Sequence, residues 1–112
     1  MNDSEAARYR ARIMARLDEI DDEDARGRDG QATVELDQQA IGRLSRQDAL
    51  QSQAMARATH ARRDIERRRL RAALDRIAEG EFGYCEDCGE EIAPARLGLD
   101  PGTTRCISCA SG

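Results

Sequence analysis

Cys85-x2-Cys88 and Cys106-x2-Cys109 put four thiols into two pairs, with residues 89–105 between them. In each knuckle the chain doubles back, so that both sulfurs address one point. The intervening loop then brings the second pair round to complete a tetrahedron. Zinc favours this donor set, with Zn–S bonds near ~2.3 Å, and four protein ligands leave no position for water or substrate. The spacing predicts one structural Zn2+ held by Cys85, Cys88, Cys106 and Cys109. A catalytic zinc would keep a position open, so these residues predict no enzyme. His60 lies well before the first thiolate in a helical stretch and reads as a surface residue, not a ligand of this site.

The same thiols could instead form two disulfides in an exported scaffold. Against this, the first 30 residues are polar, with no leader-like apolar run. No stretch reaches the roughly 20 apolar residues of a membrane span. The expectation is a soluble, cytoplasmic protein with no membrane partner, whose thiols meet zinc in a reducing compartment.

Composition constrains what can hold this site in place. Of 112 residues, 36% are charged, 39% hydrophobic and only 3% aromatic. So few large rings cannot fill a broad interior; an extended helical body with a narrow apolar seam, stapled by metal, fits better. The predicted fold is mostly α: an antiparallel, coiled-coil-like helical hairpin over residues 1–80, then a small C4 zinc finger over 81–112. Ala6, Tyr9, Ile13, Leu17 and Ile20 recur at helical spacing, giving a helix over 4–23 with Ser4 as its cap. Gly27 and Gly30 read as its exit, and a loop or partly ordered tip is expected around 25–45.

From Arg46 to Glu79 there is neither Gly nor Pro, and Ser45 and Asp48 have capping spacing. This predicts a long second helix, with Leu50, Ala54, Ala58, Ala61 and Ile65 on its inner face, continued by Leu70, Ala73, Leu74 and Ile77. Gly80 occupies the position of a left-handed C-terminal cap. Within the finger, Tyr84, Ile92, Leu97, Leu99 and Ile107 are expected to form a small core.

Net charge is −4, but the charges are segregated, acidic over residues 18–24 and arginine-rich over 62–71. The acidic run reads as a solvated helix end. The arginine run has Arg62–Glu66 and Asp64–Arg68 at pairing distance, so it reads equally as a solvated face or as a contact surface. Net acidity and scarce aromatics argue against a nucleic-acid-binding zinc ribbon, the leading alternative. A thiol-based redox or metal sensor is a further alternative, disfavoured by a closed site.

The run Cys85-Glu86-Asp87-Cys88-x3-Ile92-x3-Arg96-x4-Pro101-x4-Cys106-x2-Cys109, approached by Gly80-Glu81-Phe82-Gly83-Tyr84, resembles the signature of the DksA/TraR C4-type zinc fingers. The resemblance implies a bacterial transcription regulator that binds RNA polymerase at its secondary channel and contacts no specific DNA sequence, in some members together with ppGpp. It also implies that the hairpin tip acts on the polymerase. The Asp-x-x-Asp-x-Ala tip motif of the family is missing; ungapped counting puts Ser45 and Gln47 at its second Asp and Ala, with Asp48-Ala49 close by. Ser45, Asp48 and Ala49 are thus the tip contacts the resemblance implies. Arg69 and Arg96 match basic positions linked to alarmone binding, while a third falls on Ala110.

Overall fold

A computed structural model of the chain describes residues 1–41 and 46–111, with side chains for 1–28 and 46–111. Four helices follow in order: α1 Asp3–Ile41, α2 Arg46–Glu79, α3 Pro94–Leu99 and α4 Ile107–Ser111. Among the described residues the only β pairing is an isolated antiparallel bridge between Tyr84 and Glu91. The chain packs as two units, one made of Met1–Leu17 with Glu66–Gly112 and the other of Asp18–Ile65.

In the first unit, α1 begins two residues earlier than the Ser4 cap would set. Asn2 Oδ1 accepts the amide of Glu5 at 2.8 Å, and Asn2 Nδ2 donates back to Glu5 Oε1 at 3.4 Å. Asn2 therefore caps the helix and satisfies an otherwise orphaned donor, with its own side-chain amide turned to the Glu5 carboxylate. Ile13 from α1, Leu70 and Ala73 from α2, and Phe82, Ile92 and Leu97 from the finger are all buried. Tyr9 and Phe82 meet with ring centroids 5.2 Å apart at 53°, a tilted contact that joins the start of α1 to the finger.

The end of α2 follows its sequence signal. Gly80 has φ 75°, its amide bonds Ile77 O at 3.1 Å, and the Glu81 amide reaches Arg76 O at 2.8 Å. This paired return is a Schellman cap, and it turns the chain straight into the finger. Arg76 secures the exit, donating through Nη2 to the carbonyls of Glu81 and Tyr84.

The second unit departs from expectation in two ways. First, α1 does not exit after residue 23 but continues through Gly27 and Gly30 to Ile41. A glycine costs roughly 1 kcal/mol relative to alanine in a helix, which is not enough to stop one that is packed. A Cβ at Gly27 would sit 3.4 Å from Arg63 Nη1, an ordinary contact with a movable side-chain end, so nothing at this position demands glycine. The expected tip residues 42–45 lie outside the described residues, Ser45 among them.

Second, the stripe Leu50, Ala54, Ala58, Ala61 and Ile65 faces solvent: Leu50 is 60% exposed and Ile65 52%. The less exposed positions are Ala49, Gln53, Ala56, Thr59 and Arg63. Polar side chains thus occupy most of the inner face. On α1 the buried stripe runs on from Ile20 to Asp24, which is only 5% exposed. Asp24 Oδ1 accepts from Arg63 Nη1 at 3.1 Å, and His60 Nδ1 lies 3.2 Å from the same oxygen. Among the described residues of this unit, polar contacts at Asp24, His60 and Arg63 join α1 to α2 beside buried Ile20, which residue-type periodicity cannot detect.

Candidate metal centre

Each cysteine pair is positioned by a backbone device. Gly83 and Gly89 adopt φ of 93° and 76°, in the left-handed region that other residues rarely enter. Their turns let Cys85 N donate to Glu90 O at 2.8 Å, Gly89 N to Cys85 O at 2.9 Å and Ile92 N to Gly83 O at 2.8 Å. Residues 83–92 are thereby folded into a small hairpin around the first knuckle. The second knuckle opens α4, where Ala110 N returns to Cys106 O at 3.0 Å, and Glu86 N bonds Thr104 O at 2.9 Å across the two.

The four predicted thiols converge. All four sulfurs lie within 4.8 Å of one another, with Cys88 and Cys106 3.6 Å apart. For Zn–S bonds near 2.3 Å, a tetrahedron has edges of about 3.8 Å. The four cysteines are free thiols, not cross-linked. Geometry and donor type therefore fit one structural zinc with every coordination position filled by protein.

The local field treats the thiols unequally. The amides of Cys106, Cys88 and Asp87 point at the Cys85 sulfur and pull its pKa down to about 6. Cys109, hydrogen-bonded by Cys106, Cys85 and Cys88 and further raised by burial, is pushed up to about 12. Cys88 is drawn down by the Glu90 amide, but burial and its neighbours Cys106 and Cys85 leave it raised overall. One thiolate is thus ready at neutral pH, and metal binding must drive protons off others.

Residues outside the sulfur set tie the knuckles together. Arg105 Nε lies 2.9 Å from Asp87 Oδ2 and 3.9 Å from Glu86 Oε1, joining the residue before Cys106 to the turn between Cys85 and Cys88. Asp100 Oδ1 accepts the Gly102 amide at 3.1 Å, closing the turn that leads to the second pair. Neither Arg105 nor Asp100 stood out in the sequence, although a basic residue beside one knuckle and an acid inside the other was a usable signal.

The remaining candidate residues are not gathered into one site. Arg69 Nη2 bonds Asp100 Oδ2 at 2.7 Å, and Arg96 Nε donates to Arg105 O at 3.1 Å. Both arginines end on the 100–105 turn, one on its acid and one on its backbone. Asp48 is exposed and Ala49 half-buried in the first turn of α2. The expected finger core is smaller than predicted: Ile92 and Leu97 are buried, but Leu99 is 88% and Ile107 67% exposed. Phe82 and the Cys85 side chain fill the space instead.

Comparison with known proteins meets this geometry at the same residues. The profile of the prokaryotic DksA/TraR C4-type zinc finger matches residues 80–112. The RNA polymerase-binding transcription factor DksA of Haemophilus influenzae is 42% identical over 50 residues, covering 42% of this chain and 34% of that relative. The match therefore spans about a third of the relative's length. Among solved structures, transcription factor DksA2 from Pseudomonas aeruginosa superposes with a TM-score of 0.79, covering 98% of this chain and 83% of that one. The RNA polymerase binding protein and transcriptional regulator Dks from Chlamydia trachomatis gives 0.61, over 99% and 88%. Both are 19% identical, so the likeness is one of fold.

Proposed function

We propose, from the premise that residues 80–112 are a prokaryotic DksA/TraR C4-type zinc finger, that this protein regulates bacterial transcription by binding RNA polymerase. The supporting observation is the convergence of four thiols in a DksA/TraR finger on a chain with the fold of DksA2. In this reading the protein is no enzyme. The closed zinc site carries no chemistry and instead gives the finger a fixed surface. Leu99 and Ile107, large apolar side chains left in solvent on that surface, suit docking against protein rather than against a polyanion.

The hairpin enters the polymerase secondary channel and the finger rests at its rim. Asp48 and Ala49, at the start of α2, are then the expected tip contacts that lie among the described residues. Alarmone binding through Arg69 and Arg96 is the finer part of the reading. It requires Arg69 to exchange Asp100 for a phosphate, which a Kd for ppGpp measured on the polymerase complex, with and without Arg69→Ala, tests directly.

The central test is co-purification of the zinc-loaded chain with core RNA polymerase. Stoichiometric retention, displaced by a protein known to occupy the secondary channel, is the expected result. With Asp48→Lys, retention persists while the lifetime of open promoter complexes no longer changes. Failure to co-purify, or retention lost on DNA digestion, overturns the reading.

A further inference from the structure

His60 is the single histidine of the chain, and it stands between two carboxylates within the unit Asp18–Ile65. Its Nδ1 lies 3.2 Å from Asp24 Oδ1 and its Nε2 3.5 Å from Asp64 Oδ2. His60 and Asp64 are one turn apart on α2, while Asp24 comes from α1. Potential donor atoms of all three fall within 4.8 Å of one another. The three are not equivalent, because Asp24 is buried whereas His60 is 55% and Asp64 44% exposed at the side chain.

We propose that His60 Nε2 and the Asp64 carboxylate chelate a divalent transition-metal ion, of which zinc is the type, and that buried Asp24 orients the imidazole for it. An imidazole nitrogen and a carboxylate oxygen are donors that suit such an ion. With bonds of roughly 2.0–2.1 Å, two tetrahedral ligands stand about 3.3 Å apart, a separation close to the observed 3.5 Å. A metal on Nε2 leaves the proton on Nδ1, where it is donated to Asp24. A carboxylate behind a ligating histidine fixes both tautomer and ring direction and makes the ring a better donor.

Arg63 bonds Asp24 and also lies 3.5 Å from Glu23 Oε2, and both contacts survive because Asp24 is not itself a ligand. A cavity of about 420 Å³, bordered by Asp24, Gly27, Thr59, His60 and the arginines Arg28, Arg57 and Arg63, opens on the Asp24 side of the ring, and Asp64 does not border it. The half-exposed Nε2 and Asp64 carboxylate leave the remaining positions of the ion to solvent water. In contrast to the four-thiolate centre, this site is open and exchangeable, and its free positions can accept a further ligand.

The test titrates Zn2+ into the full chain already holding one equivalent on its cysteines, followed by calorimetry and by NMR of the unique imidazole. A second, weaker equivalent is expected, with the Nε2 resonance shifting and Nδ1 keeping its proton. His60→Gln and Asp64→Asn, both at exposed positions, abolish the second equivalent and leave the first intact. Asp24→Asn weakens it by about 10–100-fold. Far-UV circular dichroism verifies that each variant stays helical. Uptake of only one zinc, a second zinc that survives His60→Gln, or an unmoved imidazole resonance overturns the proposal.

Discussion

Arg16 and Glu66 face each other from α1 and α2 through two parallel hydrogen bonds, Nε to Oε2 at 2.8 Å and Nη2 to Oε1 at 2.9 Å. A two-pronged pair of this kind has the strongest geometry available to an ion pair. It lies in the same unit as buried Ile13 and Leu70 and adds direction to an apolar contact that has none. The Arg16 hydrogen bond holds the Glu66 carboxyl below its usual range, against the opposing effect of burial.

That depression fixes a pH dependence. A carboxylate with a lowered folded-state pKa contributes stability that is fully present above its unfolded value, near ~4.3, and lost as pH falls through the folded one. Asp100 acts in the same direction: burial raises it, but the Arg69 bond outweighs that. Both groups are more than a third exposed, so solvent screening limits each pair to about 0.5–1 kcal/mol. Urea melts of Arg16→Ala, Glu66→Ala and the double variant are expected to give a coupling of that size at pH 7. At a pH below the folded value of Glu66 the coupling should be gone.

Seam and surface positions on the helices should respond in opposite ways to truncation. Ile13 is fully buried, and Ile13→Ala should cost about 2–4 kcal/mol. Leu50→Gln and Ile65→Gln remove solvent-facing side chains and should stay within about 0.5 kcal/mol of the parent. Thermal unfolding of the three variants checks this. A large loss at Ile65 would mean that the inner face of α2 had been misassigned.

Glycines in the finger make a second contrast. Gly83 has φ 93°, and a Cβ would lie 3.4 Å from Met1 Cε and 3.7 Å from Leu97 Cδ1. Gly98 has open space around it and sits inside α3. Gly83→Ala should therefore lose roughly 1–2 kcal/mol, whereas Gly98→Ala should be neutral or gain a few tenths. Chelator-driven release of zinc, followed with a colorimetric reporter, should be faster only for Gly83→Ala.

Loss of the metal should undo the finger alone. Cys88→Ser, or zinc removal by chelation, is expected to disorder residues 81–112 while most of the α1 and α2 signal in circular dichroism remains. Because Cys109 sits high near 12, zinc uptake at neutral pH should release protons, and affinity should fall as the solution is acidified. Calorimetry in two buffers of different ionisation heat counts those protons. An ordered finger without metal would contradict the structural role.

How far the sequence disclosed this architecture depended on what kind of residue carried each element. The thiols, the Gly80 cap and the α1 stripe through Ile13 and Ile20 were legible because each rests on a residue with one dominant physical use. Periodicity puts Leu50, Ala54, Ala58, Ala61 and Ile65 on the inner face of α2, whereas these five lie outside and Gln53, Ala56, Thr59 and Arg63 turn inward. A polar group can occupy a seam when a partner arrives from the facing helix, and that partner is invisible along one strand of sequence. Gly27 reads as an exit by residue type, but one glycine does not stop a packed helix. Leu99 and Ile107 were assigned to a core too small to need them.

Sinking an ionised carboxylate between two rods also dictates their alignment. Sliding α1 by a heptad against α2 would carry Asp24 away from Arg63 and His60 and strand a charge in a dry place, a penalty of about 3–5 kcal/mol. Alanines and leucines would tolerate such slippage, being interchangeable along a greasy track. One misplaced-looking acid thus works as the notch of a key, admitting a single alignment where hydrophobic matching would accept several.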